Sequence, residues 1–261
     1  KWPDAESIFQ IACIGRTAMV KIDLVTGFLG SGKTTFLKKY AKRLMEQGQN
    51  IGILENDFGA VNVDMMLLQE LEGEQCELEM ISGGCDPETH RRRFRTKLIA
   101  MGMCGYDRVL VEPSGIYDMD EFFDVLHEEP LDQWYEIGNV IAVVDARLED
   151  TLSPEAEYLL ASQAANAGCI ILSKCDTATE EQRQNTIAHL KRSLATLGCK
   201  QWADQKILCE GAELLSDQDF AAILSCGYYI ASYEKPDFAK GQAFESLYFL
   251  DMYLDGDAVT A

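Results

Sequence analysis

At residues 27–34 the sequence reads Gly27-Phe28-Leu29-Gly30-Ser31-Gly32-Lys33-Thr34, which matches the pattern G-x-x-x-x-G-K-[ST]. An apolar run from Lys21 to Thr26 precedes this segment, and a helix-length segment from Thr34 to Gln47 follows it. Glycines in such a loop let successive backbone N–H groups curl around a phosphate at the start of a helix. The segment therefore predicts the phosphate-binding loop (P-loop) of a nucleotide-binding fold.

Apolar runs of strand length alternate with helix-length segments on both sides of this loop. We predict strands at Lys21–Thr26, Ile51–Glu55, Arg108–Glu112, Val140–Asp145, Cys169–Ser173 and Ile207–Cys209. We predict helices at Thr34–Gln47, Pro87–Met101, Met119–His127, Pro154–Ala167, Thr179–Leu197 and Ala212–Cys226. Continuous Val, Ile and Leu runs are typical of strands buried on both faces. The alternation predicts an α/β fold with a doubly wound, mainly parallel sheet flanked by helices.

The two ends of the chain differ from this pattern. Residues 1–18 precede Met19, which resembles the natural first residue of a P-loop protein. We therefore interpret residues 1–18 as a tag or as a displaced or extra segment. Residues 232–261 are rich in Tyr, Phe and Asp and are expected to begin a C-terminal extension. Residues 19–231 are predicted to form the P-loop domain.

Charge and cysteine usage restrict the partners. Among 261 residues, 43 Asp and Glu outnumber 23 Lys and Arg, which gives a net charge of −20. Because this charge repels nucleic acid and anionic lipid, we expect neither nucleic acid nor a membrane as partner. The nine cysteines lack the dense spacing of a secreted scaffold, which predicts reduced thiols in a cytoplasmic protein. His127 and His189 fall in predicted helices and are expected at the surface.

Residues of the P-loop are predicted to bind the phosphates. Lys33 is expected to reach the β- and γ-phosphates and to act in catalysis, and the Thr34 hydroxyl is expected to bind Mg²⁺. The remaining predicted contacts are Gly27, Gly30, Ser31, Gly32 and Thr35.

A second motif, Ser173-Lys174-Cys175-Asp176, follows the apolar strand that begins at Cys169. An N/T/S-K-x-D tetrapeptide that follows such a strand is expected to bind guanine selectively. Asp176 can accept hydrogen bonds from guanine N1–H and N2–H, which adenine lacks. The Lys174 stem would stack on the base, and Ser173 stands where Asn is more common. We therefore favour GTP as the nucleotide and keep adenine as the alternative.

Carboxylates end two further predicted strands. Glu112 ends one of them and precedes Pro113-Ser114-Gly115, so Glu112 is expected to hold Mg²⁺ and Gly115 to offer its N–H to the γ-phosphate. Glu55 and Asp57 end another strand and could serve Mg²⁺ or the attacking water. We take Asp57 as a catalytic candidate together with Lys33 and Glu112.

Five motifs in this order resemble one family: GFLGSGKTT, ENDFGAVNVD, ISGGC, VLVEPSG and SKCD. Together they look like the CobW-type metallochaperone GTPases, which are relatives of the urease and hydrogenase nickel-insertion GTPases. The resemblance extends from Met19 to Leu208. It implies that Mg²⁺-dependent GTP hydrolysis is coupled to the delivery of Zn²⁺ or Co²⁺ to a client metalloprotein or cofactor enzyme. It also implies a nucleotide-dependent homodimer.

One motif departs from the family pattern. The family carries G-C-x-C-C, whereas Gly84-Cys85 is followed here by Asp86-Pro87. Cys85 is the remaining candidate ligand for a transition metal, and one thiolate cannot form a tetrahedral site. Either a loop with the other cysteines is absent from this sequence after Cys85, or the chain represents a subfamily without them.

Three functions remain open from the sequence. The first is a metallochaperone GTPase. The second is a GTPase that gates a corrinoid-dependent or other cofactor-dependent partner enzyme without carrying metal, which the shortened cysteine motif favours. The third is a small-molecule P-loop kinase, for which only the basic cluster from Arg91 to Arg95 could supply lid arginines.

Overall fold

The structure is a computed structural model that describes residues 18–56, 63–81, 87–115, 119–199, 206–209 and 216–231. Its strands are β1 (Val20–Thr26), β2 (Ile51–Asn56), β3 (Cys76–Ile81), β4 (Arg108–Pro113), β5 (Tyr135–Asp145), β6 (Cys169–Ser173) and β7 (Lys206–Cys209). Its helices are α1 (Lys33–Glu46), α2 (Val63–Leu68), α3 (Pro87–Gly102), α4 (Met119–Leu126), α5 (Leu131–Trp134), α6 (Pro154–Asn166), α7 (Glu180–Thr196) and α8 (Asp217–Leu224), with a short 3₁₀ helix at Gln69–Leu71.

The strands form one seven-stranded parallel sheet in the order β3-β2-β4-β1-β5-β6-β7. The register pairs Ile51 with Cys76 between β2 and β3, and Ile141 with Cys169 between β5 and β6. The strand order reverses next to β1, and ligands of such folds bind at the carboxyl ends of the strands at this position. The predicted α/β fold with a parallel sheet is confirmed.

The described residues form two compact units. The first unit contains residues 18–23, 41–111 and 120–138, and the second contains residues 24–40, 112–115, 119 and 139–231 within the described parts of the chain.

A buried ion pair lies within the first unit. Arg108 Nη1 lies 2.5 Å from Asp23 Oδ2, and the two side chains are 7 % and 0 % exposed. A Cβ atom at Gly138 would lie 2.3 Å from Asp23 Oδ1, so only glycine leaves room for the carboxylate. The ion pair therefore depends on a close backbone approach by β5.

Two capped helices, α6 and α7, pack together in the second unit. Ser153 caps α6 by accepting from Ala156 N, and Thr179 forms a capping box with Gln182 at the start of α7. These caps satisfy N–H groups that the first turn of each helix leaves without a partner.

The prediction that His189 lies at the surface is wrong, because the residue is 2 % exposed. Its Nε2 lies 2.5 Å from Glu157 Oε1, and the Ser193 hydroxyl donates to Glu157 Oε2 at 2.6 Å. The Glu157 carboxylate on α6 therefore provides the polar partner that allows α7 to bury a histidine. His127 is exposed, as predicted.

Four elements were not predicted from the sequence: β3, α2, α5 and the short 3₁₀ helix at Gln69–Leu71. In β3 the apolar residues alternate with Glu77 and Glu79, which differs from the continuous apolar runs of the other strands. This alternation is typical of a strand that is not buried on both faces, and β3 is an edge strand. In addition, β5 begins at Tyr135, five residues before the predicted Val140. Residues 1–17 and 232–261 lie outside the described residues, so the interpretation of the two ends stays a prediction.

Candidate functional site

The phosphate-binding loop begins where β1 ends and closes against β5. Gly27 has a φ of +146°, and a Cβ atom there would lie 2.1 Å from the Val143 carbonyl oxygen. Glycine is thus required both for the backbone conformation and for the close packing. The loop then turns, with Ser31 N donating to Phe28 O at 3.1 Å, and α1 starts at Lys33. This places the free N–H groups of a helix N-terminus at the loop.

Two polar side chains at the start of α1 are buried. Lys33 and Thr34 are each 7 % exposed. Lys33 Nζ donates to Phe28 O within the loop at 3.1 Å, and Thr34 Oγ1 donates to Glu112 Oε1 at 2.8 Å. Thr34 and Glu112, which the sequence predicts to bind Mg²⁺, are therefore direct neighbours in the structure. Ser31 is buried as well, whereas Thr35 is exposed.

Gly115 follows β4 and lies directly against the phosphate-binding loop. A Cβ atom at Gly115 would lie 2.4 Å from Leu29 N, so a larger residue would displace the loop. The Gly115 carbonyl accepts a hydrogen bond from Gln163 Nε2 at 3.0 Å, and Gln163 on α6 is 2 % exposed. The position of the Gly115 peptide is therefore fixed from two sides.

Ser173 and Lys174 connect the end of β6 to the same loop. The Ser173 hydroxyl donates to Ser31 O at 2.5 Å, and Lys174 Nζ donates to Gly30 O at 2.7 Å. Lys174 has a φ of +55°, a left-handed conformation that costs a non-glycine residue about 1–3 kcal/mol. Such backbone strain is typical of functional sites. The next predicted base-binding residue, Asp176, is exposed.

Asp145, at the end of β5, was not among the predicted site residues. Its Oδ2 lies 2.7 Å from Lys174 Nζ, and its carboxylate also accepts from the Arg147 backbone N–H and side chain. Burial alone would raise the pKa of Asp145, but the hydrogen bonds from Arg147 and Lys174 lower it below its ordinary value. The pKa of Arg147 is raised, chiefly by Asp145 and further by Asp176. These groups form a charged cluster beside the loop.

A cavity of about 320 Å³ adjoins the loop within the second unit, with Asp145, Arg147 and Gln163 among its lining residues. A sequence signal existed for Asp145, because this carboxylate ends an apolar strand in the same way as Glu112 does. Gln163 lacked a comparable signal. Its role depends on a contact with a residue 48 positions away.

Several predicted residues cannot be placed with the others. Asp57 and Cys85 lie outside the described residues. Glu55 is buried at the end of β2 in the first unit. Within the described ranges, no three His, Cys, Asp or Glu side chains come together as a group that could hold a metal ion. No helix in the described part of the chain combines the length and apolar character needed to span a bilayer.

A glycine loop between a parallel strand and a helix, with a Thr–carboxylate pair beside it, defines a P-loop nucleotide-binding protein. The family model "CobW/HypB/UreG, nucleotide-binding domain" matches residues 21–198, and the chain belongs to this family. The resemblance inferred from the five motifs is confirmed.

Two curated relatives from Escherichia coli (strain K12) are zinc chaperones. The chain is 30 % identical to "Zinc chaperone YjiA" over 172 residues, which is 63 % of this chain and 52 % of the relative. It is 29 % identical to "Zinc chaperone YeiR" over 167 residues, 64 % of this chain and 50 % of the relative. The chain thus spans about half the length of the curated relatives it matches.

Among solved structures, the signal recognition particle receptor FtsY from Elizabethkingia anophelis in complex with GDP has a TM-score of 0.51 to this chain. It is 15 % identical, and the match covers 80 % of this chain and 65 % of that one. At this identity the likeness concerns the fold.

Proposed function

We propose that this chain binds and hydrolyses GTP and couples its nucleotide state to the delivery of Zn²⁺ or Co²⁺ to a client metalloprotein or cofactor enzyme. Membership of the CobW/HypB/UreG family and the names of the zinc-chaperone relatives support the proposal. The observation that carries the nucleotide part of the proposal is the buried Thr34–Glu112 pair, at 2.8 Å, beside the phosphate-binding loop.

Each end of the nucleotide has its own set of residues. The backbone N–H groups from Gly27 to Gly32, including that of Ser31, would hold the β- and γ-phosphates together with Lys33. Thr35, in the first turn of α1, would add a further contact to the nucleotide. The side chains of Lys174 and Asp176 would hold guanine, and Ser173 would fix their loop to the phosphate-binding loop through Ser31 O.

The donor set of the Thr34–Glu112 pair fits Mg²⁺. A hydroxyl and a carboxylate are hard oxygen ligands, and Mg²⁺ in nucleotide sites is held by one or two protein groups in addition to phosphate oxygens. When bound, Mg²⁺ supplies positive charge that offsets the charge of the phosphates. Thr34 and Glu112 would hold it.

Hydrolysis would transfer the γ-phosphoryl group to water. Lys33 would stabilise the charge that spreads over the phosphoryl oxygens, and the Gly115 N–H would donate to the same group. Gln163 would keep the Gly115 peptide in position through its carbonyl. Asp57 is our candidate for orienting the attacking water.

The transported metal ion is a substrate of this cycle. Cys85 is the candidate thiolate ligand in this chain, and further ligands would come from the client or from a second copy in a nucleotide-dependent homodimer. We propose a cytoplasmic location, consistent with the reduced cysteines that the sequence predicts.

Phosphate release from GTP and from ATP, measured with Mg²⁺ and without any acceptor molecule, tests the reaction. We expect release from GTP, a weaker rate with ATP, and loss of release in Lys33→Ala. Glu181→Gln, an exposed carboxylate change on α7, is the control and should leave the rate unchanged. A preference for ATP, or release only with an added acceptor, would contradict the proposal and support the kinase alternative.

A second candidate function follows from the shortened cysteine motif at Cys85. Here the GTPase gates a corrinoid-dependent or other cofactor-dependent enzyme and carries no metal. Titration with Zn²⁺ or Co²⁺ under reducing conditions separates the two candidates. Binding tighter than about micromolar supports the metallochaperone, and weaker binding supports the gating function.

A further inference from the structure

The side chain of Lys174 extends from the end of β6 to the phosphate-binding loop. Its Nζ donates to Gly30 O at 2.7 Å and to Asp145 Oδ2 at 2.7 Å. A lysine ammonium carries three donors, so these two contacts occupy most of its hydrogen-bonding capacity. The left-handed backbone conformation of Lys174, with a φ of +55°, persists only where surrounding contacts hold it. The position of Lys174 therefore depends on its partners.

The Asp145 carboxylate that binds Lys174 is itself fixed. Its Oδ1 accepts from the Arg147 backbone N–H at 2.9 Å and from Arg147 Nε at 3.3 Å, and its Oδ2 accepts from Arg147 Nη2 at 3.3 Å. Hydrogen bonds between charged groups are stronger than those between neutral groups. Lys174 thus contacts a carboxylate whose orientation is set at the end of β5.

The main chain next to Asp145 is joined to the base-binding motif as well. Ala146 N donates to Ser173 O at 3.0 Å, and the Ala146 carbonyl accepts from the Thr186 hydroxyl on α7 at 3.0 Å. In the pairing of β5 with β6, Asp145 lies opposite Ser173. Asp145 and Lys174 are therefore anchored at the ends of two neighbouring strands of one sheet.

We propose that Asp145 is a positioning residue for the nucleotide base. By holding Lys174 Nζ against Gly30 O, it would keep the lysine stem extended along the surface on which guanine stacks. The inference deepens the proposed function, on which it rests, by assigning a part in base binding to a residue that would act only through Lys174.

The sign of the expected effect separates this role from a general effect of charge. A nucleotide carries several negative charges, so the loss of a nearby carboxylate should by itself strengthen nucleotide binding. A Lys174 side chain that is no longer held should weaken binding, because the base loses an ordered stacking partner. Asp145→Asn keeps the size of the side chain and an oxygen that can accept from the Arg147 N–H, so it tests the contact with Lys174.

The test is equilibrium titration of the chain, with Mg²⁺, against GDP and a non-hydrolysable GTP analogue that both carry a fluorescent label on the ribose. Asp145→Asn should lower the affinity for both nucleotides by about fivefold, as expected for a partly exposed ion pair. The ratio of the two affinities should stay constant, because both nucleotides share the base. The control Glu149→Gln removes the same charge from an exposed residue that lines the adjoining cavity, and it should not weaken binding.

A second pair of variants tests whether Asp145 acts through Lys174. In a Lys174→Ala background, Asp145→Asn should change the affinity by less than about twofold. Misfolding is distinguished from weaker binding, because an unfolded fraction lowers the number of sites and leaves the affinity of the folded ones unchanged. Unchanged or increased affinity in Asp145→Asn, an equal loss in Glu149→Gln, or the full loss in the Lys174→Ala background would overturn the proposal. If the wild-type chain bound neither nucleotide, the proposed function itself would be refuted.

Discussion

Asp23–Arg108 and Thr34–Glu112 are both buried polar pairs, and each joins residues far apart in sequence. The first pair consists of two opposite charges 2.5 Å apart and is neutral as a whole. The second joins a neutral hydroxyl to a carboxylate and carries one negative charge when Glu112 is ionised. Both sites are almost fully buried, so burial does not distinguish them. From this difference in charge balance, we expect the first pair to serve stability, and we propose that the second binds a cation.

The largest expected effect is on stability, at the first pair. Asp23→Ala would leave the Arg108 guanidinium buried without its carboxylate, and we expect the free energy of unfolding to fall by about 3–5 kcal/mol. Urea unfolding, monitored by circular dichroism, measures the free energy of unfolding. The double variant Asp23→Leu/Arg108→Met removes both charges and should recover most of the loss. If Asp23→Ala instead weakened GTP binding in a fully folded protein, this would contradict a purely structural role for the Asp23–Arg108 pair.

The second pair should show the opposite behaviour. Glu112→Gln keeps the shape and a polar group, so we expect the free energy of unfolding to change by less than about 1 kcal/mol. Mg²⁺-dependent GTP hydrolysis should fall by about 100-fold, equivalent to about 2.7 kcal/mol. Phosphate release at saturating GTP measures the rate. A variant that unfolds like Asp23→Ala would show that the pair is structural.

Gln163 offers a smaller test of the same nucleotide site. Gln163→Leu removes the donor to the Gly115 carbonyl, and a lost buried hydrogen bond costs about 1–3 kcal/mol. Because Gly115 is proposed to contact the γ-phosphate, affinity for a GTP analogue should fall by about tenfold while affinity for GDP stays constant. Equilibrium titration with both nucleotides gives the ratio. The exposed Gln184→Leu is the control, and an equal loss for GDP would refute the positioning role.

The smallest expected effect concerns Asp145 and depends on pH. Because the folded state lowers the pKa of this carboxyl, Asp145 adds stability above its unfolded pKa of about 3.9 and loses it as the pH falls through the folded value. The stability difference between wild type and Asp145→Asn should therefore be constant near neutral pH and shrink below about pH 4. Urea midpoints across this range measure it. A difference that grew on acidification would contradict the assignment.

Much of the central fold could be predicted from the sequence because its signals are local. The run before Gly27 and the helix after Thr34 identify β1 and α1, and the apolar runs identify β2, β4 and β6 within one or two residues. The strand β3 and the helix α2 were missed because their sequence signals are weaker. β3 alternates charged with apolar residues, and α2 has only six residues.

The residues of the candidate site also differ in how far the sequence predicts them. The P-loop and the Ser-Lys-x-Asp motif have fixed spacing, so the sequence alone identifies their residues. Asp145 and Gln163 contact Lys174 and Gly115 from positions 29 and 48 residues away, and such contacts depend on the tertiary fold. The burial of His189 likewise depends on Glu157, which lies on another helix.

The most direct test of the account is a zinc titration of the chain in two nucleotide states, one with Mg²⁺ and a non-hydrolysable GTP analogue and the other with Mg²⁺ and GDP. Linkage requires that zinc changes nucleotide affinity by the same factor as the nucleotide changes zinc affinity. We predict that zinc affinity differs by about tenfold between the two states. Identical zinc affinity in both states would contradict the coupling of nucleotide state to metal delivery.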